Sequence, residues 1–249
     1  MMWRMLRGIR ERAEAERQAK IIAQTSDSGG GQVMLIRVVT TQADVPRTGE
    51  GIAFIHGEIQ PQIAAMDGNA GFAMAVDRSS GRYISIAAWT DPEALEASGH
   101  GAPRLIADLA RRLHGSEPSV EVFDLVLAHV VKPVRLGYWG RLARIEVPVP
   151  DLARAAQKFQ QWVLALFDRY DGLAAIILLA DRANGVLECM IWYDSLHVLR
   201  GSASRTQELR DLLVADIPPI RFVEDVELEA VVTEMNGLSD IASPTYTWN

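Results

Sequence analysis

The stretch Asp77–Ser98 (DRSSGRYISIAAWTDPEALEAS) returns in altered form at Asp181–Leu196 (DRANGVLECMIWYDSL), and this echo restricts the fold more than any other feature. Each copy opens with Asp-Arg, turns at a glycine four positions on (Gly81, Gly185), continues as an apolar strand and ends in a tryptophan (Trp89, Trp192). Asp67-Gly68 and Asp171-Gly172 precede the two copies at equal distances. One unit is written twice.

Each unit reads as strand, helix, strand, strand, helix, strand. In the first, VMLIRVVTT (33–41) is a strand of branched apolar residues, and 49–65 is a helix with Pro61 near its end. GFAMAV and Arg82–Trp89 form a hairpin around Asp77–Gly81. Asp91 caps a helix that has Pro92 in its first turn, a second helical stretch follows Pro103, and 120–131 is a long strand. The second unit runs through LARIEV, a helix capped by Asp151, LAAIILLA, GVLECMIWY, a helix over 204–214 and a strand over 221–232. Its last strand sets Val226, Leu228 and Val232 against Leu125, Leu127 and Val131. Helices cover one face of such a sheet and leave the other needing a cover. The row Val126, Ala128, Val130 is too apolar to stay wet, whereas the second unit offers Asp225, Glu227 and Glu229. The predicted fold is therefore α+β: two tandem ferredoxin-like (βαββαβ) repeats packed sheet to sheet as a barrel within one chain, with an N-terminal helical extension. The boundaries follow: 1–32 a basic amphipathic helix and Gly-rich linker, 33–132 the first repeat, 133–141 a connector, 142–235 the second, divergent repeat, and 236–249 a tail.

Charge narrows the partners. With 25 Lys and Arg against 32 Asp and Glu, a net charge of -7, the chain gives no reason to expect nucleic acid. The one basic region is residues 1–24, six Arg or Lys against three Glu, with Met2, Leu6, Ile9 and Ala13 along one side. It reads either as a solvated extension or as a contact for a protein or a membrane surface. The single cysteine, Cys189, lies in a strand and excludes an intrachain disulfide, which with the absence of a signal-like apolar core implies a cytoplasmic protein. The five histidines lack paired-ligand spacing and no phosphate-binding glycine motif occurs, so neither metal nor cofactor is expected.

The segment WTDPEALEAS, with Gly71-Phe72 and Val45-Pro46 before it, resembles the antibiotic biosynthesis monooxygenase-like group of the dimeric α/β barrel superfamily. The likeness spans 33–131 well and 142–232 weakly. It implies an intramolecular dimeric α/β barrel, and in some members a pocket between sheet and helices for cofactor-independent oxygenation or haem breakdown. The positions of the haem-degrading set fall at about Thr41, Ser98 and Ala107, with His100 nearby in a Gly-rich turn, so the resemblance does not carry haem degradation to this chain.

Two functions are therefore expected as alternatives: a cofactor-independent oxygenase or related enzyme acting on a small hydrophobic or aromatic molecule, or a non-catalytic barrel that binds a ligand or protein. For the first, His56 and Thr41 are the candidate catalytic residues, and Phe54, Met74, Trp89 and Arg37 the candidate pocket. Arg37 and Arg144 are read as equivalent positions on the two opening strands, paired across to Asp124 and Asp225 or presented to an anionic ligand. His129 stands on the apolar row of the fourth strand.

Overall fold

The structure, a computed structural model, describes residues 34–217 and 219–234. The basic segment 1–24, its linker and the tail with Tyr246 and Trp248 lie outside these residues. The first half comprises β1 (Leu35–Gln42), α1 (Thr48–Phe54), α2 (Gln60–Ala64), β2 (Asn69–Asp77), β3 (Arg82–Trp89), α3 (Pro92–Ala97), α4 (Ala102–Arg112) and β4 (Ser119–Val130). The second comprises β5 (Trp139–Glu146), α5 (Leu152–Phe167), β6 (Leu173–Asp181), β7 (Val186–Tyr193), α6 (Leu196–Gly201), α7 (Ala203–Asp216) and β8 (Arg221–Glu234). Between α1 and α2 the helix widens into one π turn, Ile55–Ile59. Pro61, which has no N–H to donate, follows directly, and Ile55, Ile59 and Ile63 stay buried through the change.

The strands close into an antiparallel barrel in the order β1-β3-β2-β8-β5-β7-β6-β4. The halves are not merely stacked face to face. The barrel expected within one chain forms, with the inner faces of both halves packed across the lumen, and the edges also hydrogen-bond, β2 to β8 and β4 to β6, to make a single continuous wall. Three apolar clusters result. Ile55, Ile59, Trp89, Ile106 and Leu109 lie between the first half's strands and its helices. Phe159, Val163, Phe167, Tyr193 and Leu213 do the same in the second half. The third cluster fills the lumen, with Ile36, Ile86, Phe123, Leu125, Met190 and Trp192 among its members. On β7 the two sides alternate: Val186, Met190 and Trp192 enter the lumen, while Leu187, Cys189, Ile191 and Tyr193 face the helices. Among the described residues no helix is long and apolar enough to cross a membrane.

One constant spacing, that from Asp77 to Asp181, relates paired contacts of the halves. Gly81 accepts from Ala43 N at 2.8 Å, and Gly185 from Val147 N at 2.8 Å. Gly68 accepts from Thr90 N and Gly172 from Asp194 N, both at 3.0 Å. Ser98 and Ser202 each donate to the carbonyl three residues back at 2.7 Å. Asp91 caps α3 through Ala94 N at 2.7 Å, and Ser195 caps α6 through Val198 N at 3.3 Å.

This spacing corrects several expectations. Trp89 corresponds to Tyr193, both facing helices, whereas Trp192 points into the lumen. Arg37 corresponds to Arg141 and not to Arg144. In the last strands, Phe123 opposite Ile36 matches Leu228 opposite Gly140, so the alignment of Leu125 with Val226 is displaced. A bulge between Leu125 and Leu127 also splits the expected row: Val126 packs on the helix side, Ala128 in the lumen. Asp151 accepts from Arg154 at 3.3 Å and makes no side-chain cap to α5.

Gly81 and Gly185 have φ of 74° and 66°, and a Cβ on either would stand 2.1 Å from the carbonyl oxygen of Ala43 or Val147. Gly185→Ala is expected to lower unfolding stability by about 2–3 kcal/mol in urea titration, more than the conformational term alone, because the added methyl would strike the Val147 carbonyl and push apart the Val147 N–H to Gly185 carbonyl bond that closes the hairpin onto the preceding loop.

Candidate functional site

The lumen has two unlike ends. At one, four alanines (Ala73, Ala75, Ala175, Ala230) stand where an eight-stranded barrel needs bulk to fill itself, and a cavity of about 160 Å³ remains. Met74, Ile86, Ile177, Trp192 and Val232 complete its wall, and Val130, Pro133 and Val134 form its rim with Thr233. The rim belongs to the β4–β5 connector and the end of β8, so the opening lies where the connector crosses the barrel. Trp192 is held in the wall by its neighbour: a Cβ on Gly140 would come within 2.7 Å of the indole, so this strand position must be bare for the ring to lie flat. None of the named wall or rim residues carries a titratable group, and the Thr233 hydroxyl is the polar side chain among them. Such a chamber suits an apolar molecule about the size of a benzene ring; a cavity of roughly 150 Å³ suffices for one.

The other end is closed by charge. Arg144 on β5 reaches Glu121 on β4 at 2.6 Å and Glu188 on β7 at 2.5 Å, and Arg82 on β3 pairs with Glu224 on β8. Glu188 is 3% exposed. Burial raises its carboxyl pKa despite the nearby Arg144. For Arg144 burial acts in the opposite sense, yet its bonds and charges to Glu121 and Glu188 carry the guanidinium above its ordinary value. Phe123, Leu142, Leu179 and Met190 pack in the lumen as well, and none of them lines the chamber.

Of the residues singled out from sequence, Met74 and Trp89 share the helix-side cluster of the first half with half-buried Phe54 against it, and Met74 also borders the lumen chamber. Arg37 and Trp89 meet on the helix side, the guanidinium 5.5 Å from the ring centre. Thr41 is buried but donates to the Ser116 carbonyl at 2.8 Å, which makes it a structural hydroxyl of the β1–β4 end. His56 is exposed, its Nδ1 3.1 Å from Gln60 Oε1, and faces no chamber as a base. Phe54 is half-buried beneath the Arg112 guanidinium. Nor do the anticipated cross-strand pairs form: Asp124 bonds to Arg182 at 2.6 Å, and Arg144 turns into the lumen. His129 stands 2.9 Å from Asp168 at the end of α5. Cys189 is buried, which raises its thiol pKa and leaves it an inert packing group. Among the described residues no His, Cys, Asp or Glu cluster suits a metal ion.

The geometry matches solved structures over most of their length. A monooxygenase candidate from Fusobacterium nucleatum superposes with TM-score 0.65 at 13% identity, covering 82% of this chain and 95% of its own. One from Lactobacillus acidophilus gives TM-score 0.63 at 9% identity, covering 82% and 97%. An anthrone oxidase-like protein gives 0.58 at 14% identity, covering 82% and 94%. The chain shares the closed eight-stranded barrel fold of these three solved structures. At these identities the likeness of this barrel to its neighbours is one of fold. By sequence, an uncharacterised protein of Mycobacterium tuberculosis is 27% identical over 180 residues, 72% of this chain and 80% of that one. A second from the same organism is 29% identical over 192 residues, 76% and 80%. No family model matches the sequence.

The lumen chamber was not found from sequence, although its signal is present. The alternating alanines of GFAMAV and the bare Gly140 opposite Trp192 mark small residues on the lumen face of paired strands. At the charged end, Arg144→Met is expected to cost about 2–4 kcal/mol, because Glu188 would stay buried without its partner. Some exposure of the Arg144 side chain keeps the figure below that of a fully buried pair. Adding Glu188→Leu to that variant should restore most of the loss, read as a double-mutant cycle in urea.

Proposed function

We propose that this protein binds a small hydrophobic or aromatic molecule in the open end of its barrel. The observation that carries this reading is the chamber of about 160 Å³, walled by Trp192, Met74, Ile86 and four alanines, with a rim to the outside. The repeated contacts of the two halves support reading them as tandem ferredoxin-like units within one chain, a pseudo-dimer with bounds near 33–132 and 142–235. Both ends of the described chain, Met34 and β8, come to the chamber's end of the barrel. Binding draws on apolar burial, about 25 cal/mol per Å² removed from water, and on stacking against Trp192.

A second reading, cofactor-independent oxygenation of the bound molecule, is supported by the monooxygenase and anthrone oxidase names of the structural neighbours. Such chemistry needs a group to take a proton from the substrate, and His56 and Thr41 are placed away from the chamber. The rim hydroxyl of Thr233 can hold a substrate oxygen in position but is too weak a base to ionise it.

The test uses phenol, a single ring that the chamber can hold, on the full-length protein. Binding is expected to quench Trp192 fluorescence and to saturate, and Ala230→Leu, which fills the chamber, should weaken it about tenfold or more while leaving the unfolding temperature within a few degrees. Equal binding by this variant would remove the chamber from the reading. Chromatography after incubation in air is expected to return phenol unchanged; an oxygenated product would transfer the conclusion to the second reading.

A further inference from the structure

On the helix side of β1 a guanidinium is buried with no carboxylate beside it among the described residues. Arg37 is 1% exposed. Its Nη1 donates to Ser98 Oγ and its Nη2 to the Leu95 carbonyl, both at 2.7 Å, and both acceptors are neutral. Burial alone acts on the group and lowers its pKa to about 10, so it remains charged at neutral pH. Removing an isolated charge from water without an opposite charge is unfavourable, and proteins ordinarily pair it. The adjacent indole, fully buried, also presents an N–H with no acceptor, and Arg37 Nε–H has none either. Two buried donors on touching side chains lack anything to donate to.

The second half holds the control. Arg141 occupies the corresponding place on β5, and there two carboxylates neutralise it: Asp225 at 3.0 Å and Glu227 at 3.4 Å. Glu227 is the cross-strand partner of Arg141, and the cross-strand partner of Arg37 is Val122. Asp225 faces Ala143 as Val120 faces Val39. Each carboxylate that satisfies Arg141 is thus a valine in the first half. The Nε of Arg141 and the hydroxyl of Tyr193, which stands where the first half has Trp89, lack partners as well, so what distinguishes the halves is the charge beside the arginine.

We infer that Arg37 and Trp89 hold the carboxylate of a small acid through the free Nε–H and indole N–H, a different edge of the guanidinium from the Nη atoms that Asp225 and Glu227 engage on Arg141, with the acid supplying the counter-charge that the first half lacks. The way in is the turn after α3. Gly99 is half-buried, and among the described residues other than its chain neighbours a Cβ built on it meets only Arg37 Nη2, at 4.0 Å. Small-acid binding here is independent of the lumen chamber, which lies on the opposite face of the sheet.

The experiment compares sodium acetate and sodium benzoate with sodium chloride at equal ionic strength, following thermal unfolding of the full-length protein. One of the two acids is expected to raise the unfolding temperature by about 3 °C or more beyond chloride once it exceeds its Kd tenfold. Arg37→Met should respond to that acid only as it does to chloride. Val122→Glu keeps Arg37 and supplies the missing carboxylate from the strand, so it too should lose the response. Gly99→Leu should weaken the acid about tenfold by filling the approach. If neither acid acts beyond chloride on the native protein, the inference fails. A full response in Arg37→Met also overturns it, and where that variant does not fold, a full response in Val122→Glu does so.

Discussion

Hydrogen bonding of β2 to β8 and of β4 to β6 is the constraint on which the other features rest. Each half alone would end in two strands with open N–H and C=O groups and one bare apolar face. Closing the ring removes both problems at once, because the unpaired edges meet and the bare faces turn inward. The long strands β4 and β8 carry this closure, and each seam contains a bulge, at Leu125/Leu127 and at Met74/Ala75. A bulge adds twist and bend where two differently curved sheets must join. It also changes which residues look inward, and so decides where lumen volume is filled and where it is left over.

The ring is filled unevenly for a reason that can be traced to side-chain size and charge. Phe123, Leu125, Leu142 and Met190 meet in the lumen core, whereas alanines from β2, β6 and β8 meet at the open end. At the far end Arg82 and Arg144 against Glu121, Glu188 and Glu224 form a closed set whose members depend on one another. Buried pairs of this kind contribute little net stability compared with apolar packing, yet any shift of one strand by a residue would strand a charge in the wall. Their effect is on register. They fix the alignment of β3, β4, β5, β7 and β8, and the chamber at the other end inherits its shape from that alignment.

Much of the architecture was legible because it is local. Gly81 and Gly185 mark the same tight approach to a carbonyl, Asp91 its cap, and the Asp-Arg-Gly anchors give the relation of the halves. What failed depends on which face a residue takes. Val186–Tyr193 is buried on both sides, so its apolar run carries no phase, and the Trp of the echo slipped by one from Tyr193 to Trp192. Val126 turned to the helices because a bulge precedes Leu127, an event without a glycine or proline to announce it. The chamber is a shortage of volume summed over three distant strands, and no window of sequence contains it. His56 was expected to act as a base, but in the π turn its side chain is exposed while Ile55 and Ile59 take the buried side.

The two halves show how one unit repeated in a chain can separate its tasks. In the second half the outer row of β8 is acidic, and Arg78, Arg141, Arg200 and Arg210 meet it, so charge there is matched within the protein. In the first half the corresponding row of β4 has become valine, which packs with Leu35 and Ile106 and leaves Arg37 behind as a buried cation. Valine at these positions adds apolar burial, and retaining arginine opposite it costs part of that gain. The arginine is held by Ser98 and Leu95 and faced by an indole N–H, so its hydrogen bonds go to neutral acceptors where those of Arg141 go to carboxylates.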